Sequence, residues 1–257
     1  MEVPLIAISI QHIRHATLLI TINGKKILID PMLSDIGELP PVPFTRTLRR
    51  NPLTPLPVPL SFFEDIDAVL LTHRHFDHMD KKAISVLHKR LPVFCQPEDQ
   101  TFLQNAGFLN VQVIGSSLEW GGIQLKRVKG QHAHGVFTKP LGPVSGFILS
   151  TTAEGSIYLV SDCVYTPAIE ETFREKQPDI AILHTARAQL LLGTIITMTA
   201  EDILRIRKVS PATKLVAVHM DAISHCTLKR QQLRSFLKEQ GLENAAIIPE
   251  DGEVIAF

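Results

Sequence analysis

Four side chains able to hold a metal ion crowd into six positions, His73-Arg74-His75-Phe76-Asp77-His78, and the run before them, Ala68 to Leu71, is wholly apolar. That run reads as a buried strand delivering the chain directly into Thr72-His73, so whatever the fold, one core strand must end at a polar site. On extended backbone His73 and His75 fall to the same side by the two-residue period. Asp77 and His78, turning into a helix that begins near Asp80, face a neighbouring point, an arrangement that invites two ions rather than one. Isolated histidines are mostly surface or satisfied core residues. A cluster of mutually repelling groups at a strand end is different, because burying it is costly without a cation to pair with. Imidazole and carboxylate together suit borderline divalent cations such as zinc, iron or manganese.

Two ions need more donors than one motif supplies, since each takes about four with a position left open for water. Later strand ends offer them. His132 lies in Gly130-Gln131-His132-Ala133-His134-Gly135 after a strand ending near Val128, Asp162 follows the apolar run Ile157 to Val160, and His219 follows Leu215 to Val218. His134 shares the loop of His132 and is the alternative donor there. Function usually sits where buried strands open into loops.

Around these points, short β-branched runs at Leu5 to Ile10, Thr17 to Ile22 and Ile27 to Ile29 predict a strand and a hairpin turning at Asn23-Gly24. Prolines recur from Leu39 to Leu60, so residues 39–60 are expected to form a loop or flap that neither a helix nor a central strand can cross. Further strands are expected at Val93 to Cys95, Val111 to Ile114, Leu118 to Trp120, Ile123 to Val128, Ser145 to Ser150 and Ser156 to Val160, with a helix over Pro97 to Ala106. The last third alternates helix and strand: helices at Pro167 to Lys176, Ala200 to Val209 and Leu228 to Glu239, strands at Ile180 to Leu183, Leu215 to Val218, Ala246 to Ile248 and Val254 to Ala256. Thr199 is the expected N-cap of the second of these helices, with Asp202 in the capping-box position. Hairpins mixed with crossover helices predict an α/β chain whose sheets pack on each other and are covered by helices outside.

The chain has 257 residues, 45% hydrophobic and 20% charged, which favours one domain over the whole length. Lys+Arg and Asp+Glu stand at 26 each, so there is no positive excess of the kind that draws a protein to nucleic acid. The three cysteines, Cys95, Cys163 and Cys226, are scattered and read as buried small residues in a reducing, cytoplasmic setting. No apolar run is long enough to span a membrane. Assembly into a homo-oligomer is left open.

Taken together, these pieces resemble the metallo-β-lactamase superfamily, whose hallmark is His-x-His-x-Asp-His followed by a separate His, a separate Asp and a final His. Within it the likeness is to the branch of ascorbate-6-phosphate lactonases and N-acyl phosphatidylethanolamine phospholipase D enzymes. It is carried by His15-Ala16-Thr17, Ile27-Leu28-Ile29-Asp30-Pro31, the metal motif, Thr197-Met198-Thr199-Ala200-Glu201-Asp202 and Val218-His219. The resemblance implies a four-layer αββα sandwich of two mixed β-sheets flanked by helices. It implies that His73, His75 and His132 hold one metal, that Asp77, His78 and His219 hold the second, and that Asp162 bridges them, with zinc first and manganese or iron(II) as alternatives. Asp30 matches an aspartate that supports the metal loops, its other reading being a turn-forming Asp before Pro31. His184-Thr185-Ala186-Arg187 departs from the small, Gly-rich stretch of the branch, so His184 or Arg187 is a candidate for altering substrate choice. His15 and His225 are candidates for lining the pocket as proton donors or substrate contacts, a structural role being the alternative.

The expected chemistry is hydrolysis of an ester, lactone, amide or phosphodiester by a hydroxide held between the cations, with Asp77 or Asp162 taking the water's proton and a pocket histidine such as His225 helping the leaving group. Arg49 and Arg50 in the proline-rich loop suggest a small anionic substrate. The rivals are iron redox chemistry on the same fold and a scaffold that keeps metal only for stability. A full second ligand set and mixed His/Asp donors argue against both.

Overall fold

The structure of the chain, a computed structural model, describes residues 8–257. Two sheets of opposite character stack face to face. In the first, β1 (Ile8–Arg14), β2 (Thr17–Ile22) and β3 (Lys25–Ile29) run antiparallel, and β4 (Ala68–Leu71), β5 (Pro92–Cys95) and β6 (Asn110–Val113) continue parallel to β3. The second sheet begins antiparallel with β7 (Ser117–Trp120), β8 (Ile123–Lys129), β9 (Ser145–Thr151) and β10 (Gly155–Leu159). It ends parallel with β11 (Ile180–His184) and β12 (Lys214–Val218). The last strand, β13 (Val254–Ala256), returns to pair with β1.

The period of two along each strand decides which layer every side chain enters. Leu18, Ile20 and Ile22 of β2, Ala68 and Leu70 of β4, and Ile180 and Ile182 of β11 point between the sheets and form the central core. Their alternates point outward: Val69 and Leu71 meet Ala83 and Leu103 of the helices α1 (Lys81–Val86) and α2 (Gln100–Asn105), with Leu87 beside them. On the other side Ala181 and Leu183 meet α4 (Pro167–Lys176), α5 (Ala200–Val209) and α6 (Arg230–Glu239) through Ile169, Phe173, Ile203, Ile206, Leu233 and Leu237. A short α3 (Thr138–Leu141) lies in the loop between β8 and β9. The result is the expected four-layer α/β sandwich. No helix among the described residues is long and apolar enough to cross a membrane.

Local chemistry sets the boundaries. Asn23 and Gly24, both at positive φ, close the β2–β3 hairpin as expected. α4 and α5 occupy the expected spans, and the Thr199 backbone N–H and hydroxyl both donate to Asp202, at 2.9 and 3.2 Å. Three expectations are corrected. The helix over 97–106 splits into a 3-10 turn, Pro97–Asp99, and α2. The strand over 246–248 reduces to one bridge between Ile247 and Val216, because Pro249 has no N–H to extend a ladder. α6 begins at Arg230 rather than Leu228, and the part of the Leu5 to Ile10 strand before Ile8 lies outside the described residues. The proline-rich segment is a loop as expected, closed at its base by paired backbone hydrogen bonds between Leu39 and Asn51.

Cys95, Cys163 and Cys226 are buried and unpaired, and burial pushes the Cys95 and Cys163 thiols up to about 12. The carboxyl of Asp99 is also out of water and pushed up by that burial to about 6; Gln96 Nε2 donates to one oxygen at 2.9 Å, and the other has no hydrogen-bond partner among the described residues, Arg74 Nε standing 3.8 Å from it. A folded-state value above the ordinary 3.8 means that the folded chain holds the proton more tightly than the unfolded one. Stability therefore falls as pH rises from about 4 to about 6, and neutral protein carries the cost. Asp99→Asn should raise neutral-pH stability by about 1–2 kcal/mol, a figure discounted for partial screening, and should flatten that slope in urea titrations. An unchanged slope would show that Asp99 does not titrate with folding.

Candidate metal centre

All the chemistry-bearing residues lie where strands end, and several of those ends are held in unusual backbone. His15, Asp30, Ser161 and His219, at the ends of β1, β3, β10 and β12, all have positive φ, between 43° and 76°. Each costs a non-glycine residue about 1–3 kcal/mol, and such costs gather at functional sites. Gly130 opens the loop of His132, and any Cβ there would stand 2.6 Å from Cys163 Sγ and 2.8 Å from the Val144 carbonyl. Only glycine lets the loop turn in so tightly.

The first group is His73, His75 and His132. His73 Nε2 stands 3.0 Å from His75 Nδ1, and His132 Nε2 stands 3.3 Å from the same atom. Their outer ring nitrogens show which atoms carry protons. His75 Nε2 faces the Leu141 carbonyl at 2.9 Å and His132 Nδ1 the Ile196 carbonyl at 2.8 Å, so both must donate. The Thr72 hydroxyl donates to Asp30 Oδ2 at 2.7 Å and so accepts from His73 Nδ1 at 3.0 Å. Burial first, then the neighbouring imidazoles, pushes His73 well below its ordinary value, and His75 is lowered for the same reasons. His73 Nε2, His75 Nδ1 and His132 Nε2 are thus turned toward one another.

The second group forms around His78 and His219, whose Nε2 atoms are 3.3 Å apart. His78 Nδ1 donates to Asp30 Oδ2 at 2.8 Å, and Asp30 also accepts from the Thr72 amide, so one buried carboxylate orients both His73 and His78. Asp162 stands between the groups: Oδ2 is 3.2 Å from His78 Nε2, 3.7 Å from His132 Nε2 and 4.0 Å from His73 Nε2, and Oδ1 is 3.0 Å from His219 Nε2. Asp77 Oδ2 is 3.2 Å from His15 Nε2. Burial alone would raise both carboxyls, but the surrounding imidazoles hold Asp162 and Asp77 well below the usual range. Burial would likewise depress His78, yet Asp162 and Asp30 raise it well above its ordinary value, so a proton there supplies the positive charge the cluster calls for.

This set of donors fits divalent cations. The bare ring nitrogens of His73 and His75 facing each other at 3.0 Å repel, whereas two ligands about 2.0–2.1 Å from one tetrahedral ion stand roughly 3.3 Å apart. A cation thus turns a repulsive cluster into a coordination shell, and His/Asp groups suitable for metal binding occur on both sides of Asp162.

Of the other expected residues, His225 lines the cavity above Asp77, and burial, the largest influence on it, pushes it down to about 4, so it is neutral at pH 7. His15 and His184 are brought in, each bonded to one carboxylate. His134 is not, being exposed with only Gln131 beside it. Arg49 and Arg50 are also not brought in: the Arg50 guanidinium is taken up by the Gly37 and Glu38 carbonyls, and neither residue lines the cavity. Two partners escaped sequence reasoning. Thr72 links His73 to Asp30, and Cys226 Sγ lies 3.6 Å from His219 Nδ1.

The cavity over the cluster holds about 570 Å³. Its floor is His75, Asp77, His132 and Asp162, and its wall is apolar, drawn from the proline-rich loop (Val42, Phe44), the α3 loop (Phe137, Leu141) and residues 190–196 (Leu190, Ile196). Among the described residues no lysine or arginine lines it.

Residues 25–220 match the family model of the beta-lactamase superfamily domain. The chain belongs to that superfamily. Among its members, this beta-lactamase-superfamily chain is 38% identical to the UPF0173 protein YddR of Bacillus subtilis over 256 residues, covering 97% of this chain and all 100% of that one. It is 24% identical to a UPF0173 metal-dependent hydrolase of Metallosphaera sedula over 253 residues, 96% of this chain and 98% of that one. Two crystal structures share 34% identity with it and cover 97% of this chain and 99% of theirs: an isothiocyanate hydrolase from Delia radicum gut bacteria, at a TM-score of 0.92, and a possible metal-dependent hydrolase from Veillonella parvula, at 0.93. The protein is a metal-dependent hydrolase of the metallo-β-lactamase fold.

Proposed function

We propose that this superfamily member hydrolyses a small uncharged substrate with an apolar substituent, an isothiocyanate R–N=C=S first of all, at a centre of two divalent cations. The observation that carries this is the apolar cavity that opens onto the His/Asp floor with no cationic side chain to hold an anion. The similarity to an isothiocyanate hydrolase over nearly the whole chain supports it. An anionic substrate, suggested by Arg49 and Arg50, loses that support with them, since neither lines the cavity.

In this reading His73, His75 and His132 hold one cation, Asp77, His78 and His219 the other, and Asp162 is shared; zinc is the first candidate, manganese and iron(II) the next. Bound there, the cations supply a Lewis acid and lower the pKa of water towards neutrality. The protein's own groups do the rest. Asp77 or Asp162, both anionic at neutral pH, accepts the proton of the attacking water as its oxygen bonds to the central carbon of R–N=C=S. His225, neutral, hydrogen-bonds the substrate nitrogen, which receives both protons of the water before the C–N bond breaks. The sum is R–N=C=S + H2O giving R–NH2 + O=C=S. The apolar wall takes R and excludes bulk water from the floor.

Purified protein should consume benzyl isothiocyanate, followed by its ultraviolet absorbance and by amine released, with kcat/KM about 100-fold or more above that for bis(p-nitrophenyl) phosphate, the ratio expected from about 3 kcal/mol of charge desolvation. Faster turnover of the phosphodiester or of a simple lactone would overturn the assignment.

A further inference from the structure

His184 is the last residue of β11 and shares the parity of Ile180 and Ile182, so its ring enters the space between the sheets and is fully buried. It lies against His219 and His78, with ring centroids 5.0 and 5.7 Å apart and planes within 28° of parallel. Its Nδ1 meets Asp162 Oδ1 at 2.7 Å, and among the described residues its Nε2 has no hydrogen-bond partner.

Two roles fit an imidazole in that position, and distance separates them. Donors sharing one tetrahedral cation stand roughly 3.3 Å apart. His219 Nε2 and His78 Nε2 meet Asp162 at 3.0 and 3.2 Å and each other at 3.3 Å, close to that spacing. His184 at 2.7 Å is too near the carboxylate for that, and its spacing is that of a charge-assisted N–H···O hydrogen bond. A carboxylate only accepts, so the proton lies on Nδ1 and the unpartnered Nε2 is a bare lone pair. With Oδ1 held from β11, the other oxygen, Oδ2, is left turned toward His78, His132 and His73.

We propose that His184 is a positioning residue: it donates Nδ1–H to Asp162 and fixes the carboxylate in the orientation that serves both cations, without being a ligand itself. The inference rests on the two-cation reading above and adds to it a residue outside the superfamily's ligand pattern.

The test is zinc content, measured by elemental mass spectrometry on the full chain after dialysis against graded, buffered free Zn2+, with circular dichroism to verify the fold. Wild type should hold two zincs. His184→Ala should require about 10–100-fold more free zinc to fill the second site, the usual loss when a partner of a metal ligand is removed, and the first site should change little. His184→Asn, whose Nδ2–H2 occupies the place of the histidine Nδ1–H, should recover the second site to within a few fold. An alanine chain that fills both sites like wild type, or a folded asparagine chain as weak as alanine, would overturn the proposal. If the alanine chain does not fold, the asparagine chain decides alone: two zincs support the role and one removes it. A wild type holding fewer than two zincs would sink the two-cation reading itself, a different result from two zincs with an indifferent alanine variant.

Discussion

Asp162→Ala is expected to lower kcat/KM for hydrolysis by about 10³-fold or more, on the order of 4 kcal/mol of transition-state stabilisation. Among the described residues, Asp162 is the one carboxylate within 4.0 Å of both His73 and His78 while also touching His219. Its removal strips negative charge from the middle of a cluster of imidazoles and, in the two-cation reading proposed above, takes away a donor common to both sets. The loss should therefore exceed that of deleting a ligand from one side, such as His132→Ala, and should be accompanied by loss of bound metal. Steady-state rates and elemental analysis on the same preparation check this. A variant that keeps its metal and turns over within tenfold of wild type would show that Asp162 is not shared. Low pH should imitate the substitution: the raised affinity of His78 for a proton sets proton against cation for the same lone pair, so metal should be released as pH falls.

How far these residues were readable beforehand differs from one to the next for physical reasons. Strand faces follow a period of two, so Leu18, Ile20 and Ile22, or Ile180 and Ile182, announced the core directly. α4 and α5 begin at side-chain caps, Thr166 accepting from the Ile169 amide and Thr199 bonded to Asp202, which is local chemistry that a sequence displays. The convergence of these histidines was legible because the motif is dense and its remote partners all sit at strand ends. His132 rather than His134 follows from the tight Gly130 turn, which depends on Cys163 and Val144 and cannot be seen locally.

What stayed hidden depends on contacts between distant segments. Arg49 and Arg50 looked like an anion site because a loop's direction is not encoded in its composition, and in the fold Arg50 braces its own loop at the Gly37 and Glu38 carbonyls. The cavity wall joins three segments more than forty residues apart, and only assembly makes it one apolar surface. For His184 a signal did exist: extending the parity of Ile180 and Ile182 by one step aims it inward, beside the Asp162 that ends the adjacent β10.

Asp30→Ala is expected to be the most destabilising single substitution near the centre. The Asp30 carboxylate is fully buried and accepts from the Thr72 amide at 2.8 Å, the Thr72 hydroxyl at 2.7 Å and His78 Nδ1 at 2.8 Å. Alanine leaves the amide and the imidazole N–H without partners in a site closed to water, each costing about 1–3 kcal/mol. It also leaves His78 with one fewer counter-charge, so a total of about 3–5 kcal/mol is expected. The backbone gains nothing in return, because position 30 keeps its φ of 43°, where alanine fits worse than aspartate. Urea unfolding of the chelated protein should show the unfolding free energy falling by that amount, the midpoint shifting by that loss divided by an unchanged m-value. Asp30→Asn separates charge from geometry: its amide oxygen can accept from Thr72, but its NH2 then faces His78 Nδ1–H, donor against donor, so His78 must carry its proton on Nε2 instead, where it donates to Asp162 and leaves no lone pair for a cation. Asparagine should therefore recover part of the stability and none of the metal affinity. If it recovers both, the proton on His78 Nδ1 is not what Asp30 is there to hold.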